Sequence, residues 1–224
     1  MCREAVSGSP LLEGTRFGGC PFCCSLPVEQ EAPGGTPIGV QDYLRFDPSE
    51  DVVVSLELAA HLLSNLDVSP NLRWKWVIVA THDALQGAMA FALSARHITG
   101  ALTNKSKKEW IALLETNGGD YPELKIDGFT ALLNRVCDAK ILGEPPVLDC
   151  GQRNDLSRLH DYRNDFAHFK PESWSIAFHD LPRMVLVAVE ATDHLMRHRS
   201  AFLSEEQGPR LREALKTIRS EIDH

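Results

Sequence analysis

The residues best suited to chemistry lie together in the range 159–169, whose sequence is LHDYRNDFAHF. Eleven residues here combine two imidazoles, a guanidinium, an amide and two carboxylates. An imidazole can transfer protons near neutral pH, and a guanidinium can bind and stabilise the negative charge of a phosphate. The candidate residues for such chemistry are therefore His160, Arg163, Asn164 and His168.

This stretch is predicted to lie on an amphipathic helix that runs from Gln152 to Phe169. No Gly or Pro interrupts the helix, and its apolar residues recur at helical spacing, namely Leu156, Leu159, Phe166 and Ala167. The i, i+4, i+8 spacing of His160, Asn164 and His168 places all three along one edge of the helix. Arg163 falls within the apolar arc, so we expect its guanidinium to meet a negative partner. His168 should lie near the negative end of the helix dipole, which favours the protonated imidazole of an acid/base group.

The pattern of Arg163 and Asn164 followed by His168, led by Leu156 and Leu159, resembles the signature helix of the HEPN superfamily. Members of that family are compact helical bundles. Many are metal-independent endoribonucleases in which the Arg and His of the motif, brought together from two protomers, cleave RNA. The resemblance therefore implies a homodimer that binds RNA or a nucleotide without a cofactor or a metal, with Arg163, Asn164 and His168 at the site. It leaves room for a partner protein that neutralises the activity.

The same residues also allow a non-catalytic interpretation. Arg163 could brace the bundle by capping a neighbouring helix, while Asn164 satisfies a buried carbonyl. The protein would then be a nucleotide-binding or partner-binding helical module. A serine hydrolase, a P-loop protein and a zinc protease are disfavoured, because the sequence has no G-x-S-x-G, no glycine-rich loop before a helix and no H-E-x-x-H.

A second pair of polar residues lies on the most apolar predicted helix, from Leu72 to about Ile98. A helix that is apolar nearly all round is expected at the centre of the fold. His82 and Gln86 are one turn apart on one face of it. Either they are core polar groups satisfied by nearby carbonyls, or they face the motif helix and line the same pocket.

The remaining pattern predicts an all-α fold, a single HEPN-like bundle of five to seven helices. Further helices are predicted at Pro48 to about Leu66, Asn104 to Asn117, Gly128 to about Ile141 with Asp127 as cap, Met184 to about Met196, and from Ser204 onward. The Asn104 helix has Trp110, Leu113 and Leu114 as apolar anchors. The last helix has a thin apolar stripe that suits a peripheral position or a dimer contact.

Residues 1–46 are predicted to be a disordered tail rich in Gly and Pro, and residues 47–224 a helical domain. Cys20 and Cys23 form a C-x-x-C pattern in this tail. A structural zinc site usually needs a second such pair, which the sequence lacks, so we expect no metal.

The formal net charge of −8 over 224 residues argues against a broad nucleic-acid-binding face. Any RNA contact should be local, at a patch formed by Arg153, Arg158, Arg163, Lys170 and Arg183. No run of about 18 uncharged apolar residues occurs, and the first 30 residues lack the apolar block of a signal peptide. We therefore expect a soluble, cytoplasmic protein that makes no membrane contact.

Overall fold

The computed structural model describes residues 47–94, 98–116, 120–168, 171 and 173–223. The predicted tail, with its C-x-x-C pattern, lies outside these residues. Within them the chain forms eight α-helices and no β-strand, so the all-α prediction is confirmed. The helices are α1 (Pro48–Ser64), α2 (Pro70–Ser94), α3 (Asn104–Thr116), α4 (Phe129–Val136), α5 (Ala139–Leu142), α6 (Cys150–Ala167), α7 (Leu181–Arg197) and α8 (Gln207–Asp223).

Helix α2 is the central helix of the bundle, as its sequence predicted. It packs against α1, α4, α6 and α7. Its fully buried side chains include Val77, Ile78, Leu85 and Met89. By length and composition α2 could cross a membrane, but 61% of its most apolar window is buried inside the protein. Its apolar side chains are therefore used in the core.

Polar side chains determine where α1 and α6 begin. The carboxylate of Asp47 accepts hydrogen bonds from the amides of Ser49 and Glu50. At α6, Asp149 and Gln152 form a reciprocal capping box, in which each side chain accepts a hydrogen bond from the other residue's backbone amide. The capping box explains why α6 begins at Cys150, two residues before the predicted start.

The single helix predicted between Gly128 and Ile141 is wrong, because the chain divides there into α4 and α5. Asp138 has an extended backbone, and its carboxylate accepts a hydrogen bond from a first-turn amide of α5, so a new helix begins. The N-cap residue of α4 is Gly128 instead of the predicted Asp127, whose carboxylate forms an ion pair with Arg135. The division raises the number of helices above the predicted five to seven.

Helix α3 buries less than its pattern predicted. Trp110 and Ser106 are its buried residues, while Leu114 is 59% exposed. The helix is held mainly through the following segment, where the amide of Lys125 donates to Ser106 Oγ and Tyr121 packs near Trp110. Only one narrow face of α3 is covered, which leaves Leu114 in contact with water.

The apolar stripe of α8 is covered by the chain itself. Leu211, Leu215 and Ile218 are buried, and α8 packs against α1 and α7. Arg210 adds ion pairs to Glu50 and Glu57 of α1. This stripe is therefore not free for the dimer contact that the sequence suggested.

Candidate functional site

His168 leaves the motif helix. Helix α6 ends at Ala167, and His168 is its C-cap residue with φ −110° and ψ 115°. Its backbone amide still donates to the carbonyl of Asn164, at 2.9 Å. The extended backbone at His168 carries the following chain away from the helix, so the predicted edge of His160, Asn164 and His168 ends at the helix terminus.

Five polar side chains of α2 and α6 form a closed ring of contacts, which we call the polar ring: His82, Asp83, His160, Arg163 and Asn164. Asn164 Nδ2 lies 3.1 Å from His160 Nε2, and His160 Nδ1 lies 2.9 Å from His82 Nε2. His82 Nδ1 lies 3.2 Å from Asp83 Oδ1, which is 3.4 Å from Arg163 Nε. Arg163 Nη1 closes the ring at 3.4 Å from Asn164 Oδ1. The two helices are thus joined through side chains 78 positions apart in sequence.

The ring has one consistent assignment of protons. The Asn164 amide nitrogen can only donate, so His160 Nε2 accepts and its Nδ1–H donates to His82. His82 then accepts at Nε2 and donates its Nδ1–H to the carboxylate of Asp83. Both imidazoles are neutral in this arrangement. Burial lowers the pKa of His160, and the neighbouring His82 lowers it further, in agreement with a neutral ring.

Phe129, the first residue of α4, stacks on both imidazoles. Its ring centroid lies 4.7 Å from that of His160, nearly parallel at 7°, and 4.8 Å from that of His82. His82 is completely buried. The aromatic ring covers this side of the polar ring, so the hydrogen bond between the two imidazoles is shielded from water.

Arg163 has the negative partner that the sequence predicted, namely Asp83. The pair is less buried than expected, since the two side chains are 34% and 39% exposed. A pair this accessible contributes no more than about 1 kcal/mol. Within the described residues, the other N–H groups of the guanidinium have no acceptor. Arg163 is therefore oriented by the polar ring and keeps donors available to a ligand.

His168 lies at a cavity of about 720 Å³, which we call the aromatic cavity. Its aromatic walls come from α2, α6 and the segment before α7, namely Trp74, Phe166, Trp174 and Phe178. The imidazole of His168 is exposed and forms no hydrogen bond with the described residues. The segment after the motif thus lines the same cavity as His168 but leaves the His168 side chain exposed.

The predicted site residues thus separate into two groups. The polar ring holds Arg163, Asn164, His160 and His82, while His168 lines the aromatic cavity. His82 does face the motif helix. Gln86 belongs to neither group, and no described residue forms a hydrogen bond with its side chain.

Sequence reasoning missed two members of this arrangement. Asp83 had a usable signal, because it follows His82 directly and Arg163 required an anion. Phe129 lies on the helix predicted from Gly128, but nothing in its local pattern indicates that it stacks on imidazoles from two other helices. Its role depends on how α4 packs against α2.

Three of the five residues of the predicted basic patch are paired with carboxylates. Arg158 pairs with Asp180 at 2.9 Å, and Arg183 with the buried carboxylate of Asp155 at 2.9 Å. Arg163 pairs with Asp83 as described above, and Lys170 lies outside the described residues. These arginines do not form an open cationic surface.

No protein-family model, curated protein sequence or solved structure matches this chain. In the described part of the chain, no group of three or more His, Cys, Asp or Glu residues is placed to hold a metal ion. Function has to be inferred from the polar ring and the aromatic cavity themselves.

Proposed function

We propose that this helical protein is a HEPN-like, metal-independent endoribonuclease that acts in the cytoplasm through Arg163 and His168. The observation that supports the proposal is that both side chains keep unused capacity for a ligand. The guanidinium of Arg163 is oriented but retains free N–H donors, and the imidazole of His168 is exposed and unpaired in the described structure. Guanidinium N–H donors bind phosphate, and an accessible imidazole can transfer protons.

In the proposed reaction, the 2'-oxygen of a ribose attacks the adjacent phosphorus and the 5'-oxygen of the next nucleotide leaves. His168 either takes the proton of the 2'-hydroxyl while water protonates the leaving 5'-oxygen, or protonates the leaving oxygen while water takes the 2'-hydroxyl proton. Arg163 stabilises the negative charge that develops on the phosphoryl oxygens. Asn164 accepts from Arg163 Nη1 and so orients it. The products are a 2',3'-cyclic phosphate and a free 5'-hydroxyl.

A second copy of the chain is part of this proposal. Positions 163 and 168 are separated by about 7.5 Å along the helix axis at 1.5 Å per residue. Arg163 is also held in the polar ring while His168 faces the aromatic cavity. Two α6 helices meeting across a dimer would bring the Arg163 of one protomer to the His168 of the other. A protein that covers these residues would neutralise the activity.

A specific observation favours a second candidate function, a non-catalytic nucleotide-binding or partner-binding module. Arg163 and Asn164 already have partners within the polar ring, as a structural brace would. In that case the ring only joins α6 to α2, and His168 serves at most as a ligand contact. The two candidate functions predict different effects of substitutions at Arg163 and His168.

The test compares His168→Ala and Arg163→Ala with the wild type on single-stranded RNA in the presence of a chelator. For a ribonuclease, His168→Ala abolishes cleavage while the Tm stays within about 2 °C of wild type, because the exposed imidazole forms no hydrogen bond with the described residues. Arg163→Ala also abolishes cleavage. The matched control is His61→Ala, which removes an exposed histidine of α1 and should leave cleavage intact.

Two results would decide for the brace. One is RNA that stays intact after prolonged incubation with dimeric wild-type protein. The other is a loss of more than about 1 kcal/mol in the free energy of unfolding of Arg163→Ala, which exceeds what the accessible ion pair with Asp83 contributes by itself.

A further inference from the structure

The aromatic cavity has the dimensions of a small-molecule site. Its volume of about 720 Å³ falls within the range of roughly 300 to 1,000 Å³ that is typical of ligand pockets. Trp74 and Lys75 of α2 line it, as do Phe166 of α6 and the pair Trp174 and Phe178 from the segment that leads into α7. Three separate parts of the chain therefore converge on one concave surface.

The aromatic rings of this cavity are fixed against one another but remain accessible. Trp74 and Phe178 meet edge to face, with centroids 5.3 Å apart and planes at 87°. Phe166 and Trp174 lie 5.1 Å apart. Phe178 is nevertheless 57% exposed and Trp174 37% exposed. A flat ligand could cover these faces by stacking, at little entropic cost to side chains that are already held.

The cavity also has a cation with no carboxylate partner. Lys75 Nζ lies 5.8 Å from the ring centroid of Phe166 and 5.2 Å from that of Trp76, and no ion pair joins it to a carboxylate of the described residues. The imidazole of His168 lies on the same cavity. Asp165 also lines the cavity and adds one negative charge. The combination of stacking faces with an ammonium suits a ligand that is both aromatic and anionic.

We propose that the aromatic cavity binds an unpaired nucleobase of single-stranded RNA, with Lys75 paired to the phosphate beside that base. The inference rests on the proposed function for the identity of the ligand, since His168 connects the cavity to the RNA chemistry. A base inside a duplex has both faces stacked on its neighbours, so only an unpaired base can present a face to Trp174 and Phe178. The protein would therefore act on single-stranded regions.

The experiment measures binding separately from cleavage. The probe is a fluorescein-labelled single-stranded oligonucleotide with 2'-O-methyl riboses, which cannot be cleaved because the attacking 2'-hydroxyl is blocked. Fluorescence anisotropy of the full-length protein gives its Kd for this probe and for the same probe annealed to its complement. We expect the single strand to bind at least about ten-fold more tightly than the duplex.

The decisive variant is Phe178→Ala, with Phe202→Ala as its matched control. Both phenylalanines are more than half exposed, so neither substitution should disturb the core, but only Phe178 lines the aromatic cavity. Loss of one stacking face should weaken single-strand binding by about five-fold or more. Lys75→Gln should weaken it too and reduce the dependence of the Kd on salt. Phe202→Ala should bind as wild type does.

The outcomes separate this inference from the proposed nuclease. Tight single-strand binding that Phe178→Ala weakens, without any cleavage of natural RNA, supports the cavity and rejects the nuclease. Cleavage with an unchanged kcat/KM in both Phe178→Ala and Lys75→Gln supports the nuclease and overturns the cavity. Equal affinity for the single strand and the duplex would overturn the proposed nucleobase site. The absence of binding to either probe would overturn it too.

Discussion

His82 shows how much depends on one buried side chain. Its imidazole has no exposed surface, yet both of its nitrogens have partners, Asp83 on one side and His160 on the other. A buried polar atom that loses its partner costs about 1 to 3 kcal/mol, which exceeds the gain from one ordinary hydrogen bond. The polar ring is therefore stable only while every member keeps its protonation state.

We predict that the polar ring makes the protein less stable in mild acid. Burial and the nearby His82 lower the pKa of His160 below its ordinary value of 6.5, so the unfolded chain binds this proton more readily than the folded protein does. The contribution of neutral His160 to the stability of the fold is fully present above pH 6.5. It is lost as the pH falls from 6.5 towards the lowered pKa of His160. The free energy of unfolding should therefore decrease as the pH falls through this range, measured by urea titration at a series of pH values.

His160→Phe and His61→Asn provide the comparison. His160→Phe keeps an aromatic ring against Phe129 but cannot titrate, so the stability of this variant should depend less on pH. At pH 7.5 it should be less stable than the wild type, because the hydrogen bonds of His160 are lost. His61→Asn removes an exposed histidine and should keep the wild-type dependence. An NMR titration midpoint for His160 at or above 6.5 would contradict the prediction. Asp161 and Arg163 are the charged neighbours that influence this midpoint, the first raising the pKa and the second lowering it.

At the scale of the elements, the contact between α1 and α2 is close enough to require a glycine. A Cβ placed on Gly87 would lie 3.0 Å from Val52 Cγ2. Val52 is completely buried in the core and has little freedom to move. The missing side chain allows α1 to pack tightly on α2, the helix that also carries His82 and Lys75.

We predict that Gly87→Ala destabilises the protein by about 1 kcal/mol. Alanine favours a helix interior over glycine by about 1 kcal/mol, but overpacking of a filled core costs about 1 to 3 kcal/mol, so the steric term should win. The measurement is the free energy of unfolding in urea. Gly208→Ala in α8 is the matched control, because its Cβ would meet only the flexible end of Arg212 at 3.4 Å, and it should be neutral or stabilising.

A double-mutant cycle isolates the steric contact. In a Val52→Ala background the methyl group at position 87 has no close neighbour, so Gly87→Ala should become stabilising there. Equal effects of Gly87→Ala in the two backgrounds would show that the close approach to Val52 is not the reason for the glycine.

At the scale of the whole molecule, charge is distributed in pairs. Arg158, Arg163 and Arg183 each meet a carboxylate, and the net charge of the chain is −8. The long-range attraction that brings many RNA-binding proteins to their ligand is weak in such a molecule. RNA binding would have to come from local contacts at the aromatic cavity and at the free donors of Arg163.

We predict that the protein is a homodimer at micromolar concentration. The proposed reaction needs the motif residues of two protomers, and the exposed ends of Arg163 and His168 should lie near the interface. Sedimentation velocity measures the mass directly. His168→Ala should sediment as wild type does, since it removes an exposed side chain.

Dilution gives an independent test of the same prediction. If the site is composite, cleavage per protomer should fall when the protein is diluted below the dissociation constant of the dimer. A monomer at micromolar concentration, or a specific activity that does not change on dilution, would count against the composite site.

The sequence alone determined most of the helical framework. Apolar spacing located the core faces of α1, α2 and α7, because a buried face repeats at the helical period whatever it packs against. It also located the motif on α6 and required an anion for Arg163, since a cation among apolar residues needs a partner. The residues at which helices begin and end were less predictable. Asp138 began a new helix and His168 left an old one through backbone changes of a single residue.

Tertiary structure alone decided which side chains meet. The bond between His82 and His160 joins residues 78 positions apart, and Phe129 reaches both from a third helix. Helical spacing shows which face of its helix a residue occupies. It contains no information about which other helix packs on that face, or about the axial position at which the two helices contact. The aromatic cavity depends on the same packing, because its walls come from three segments that only the folded chain brings together.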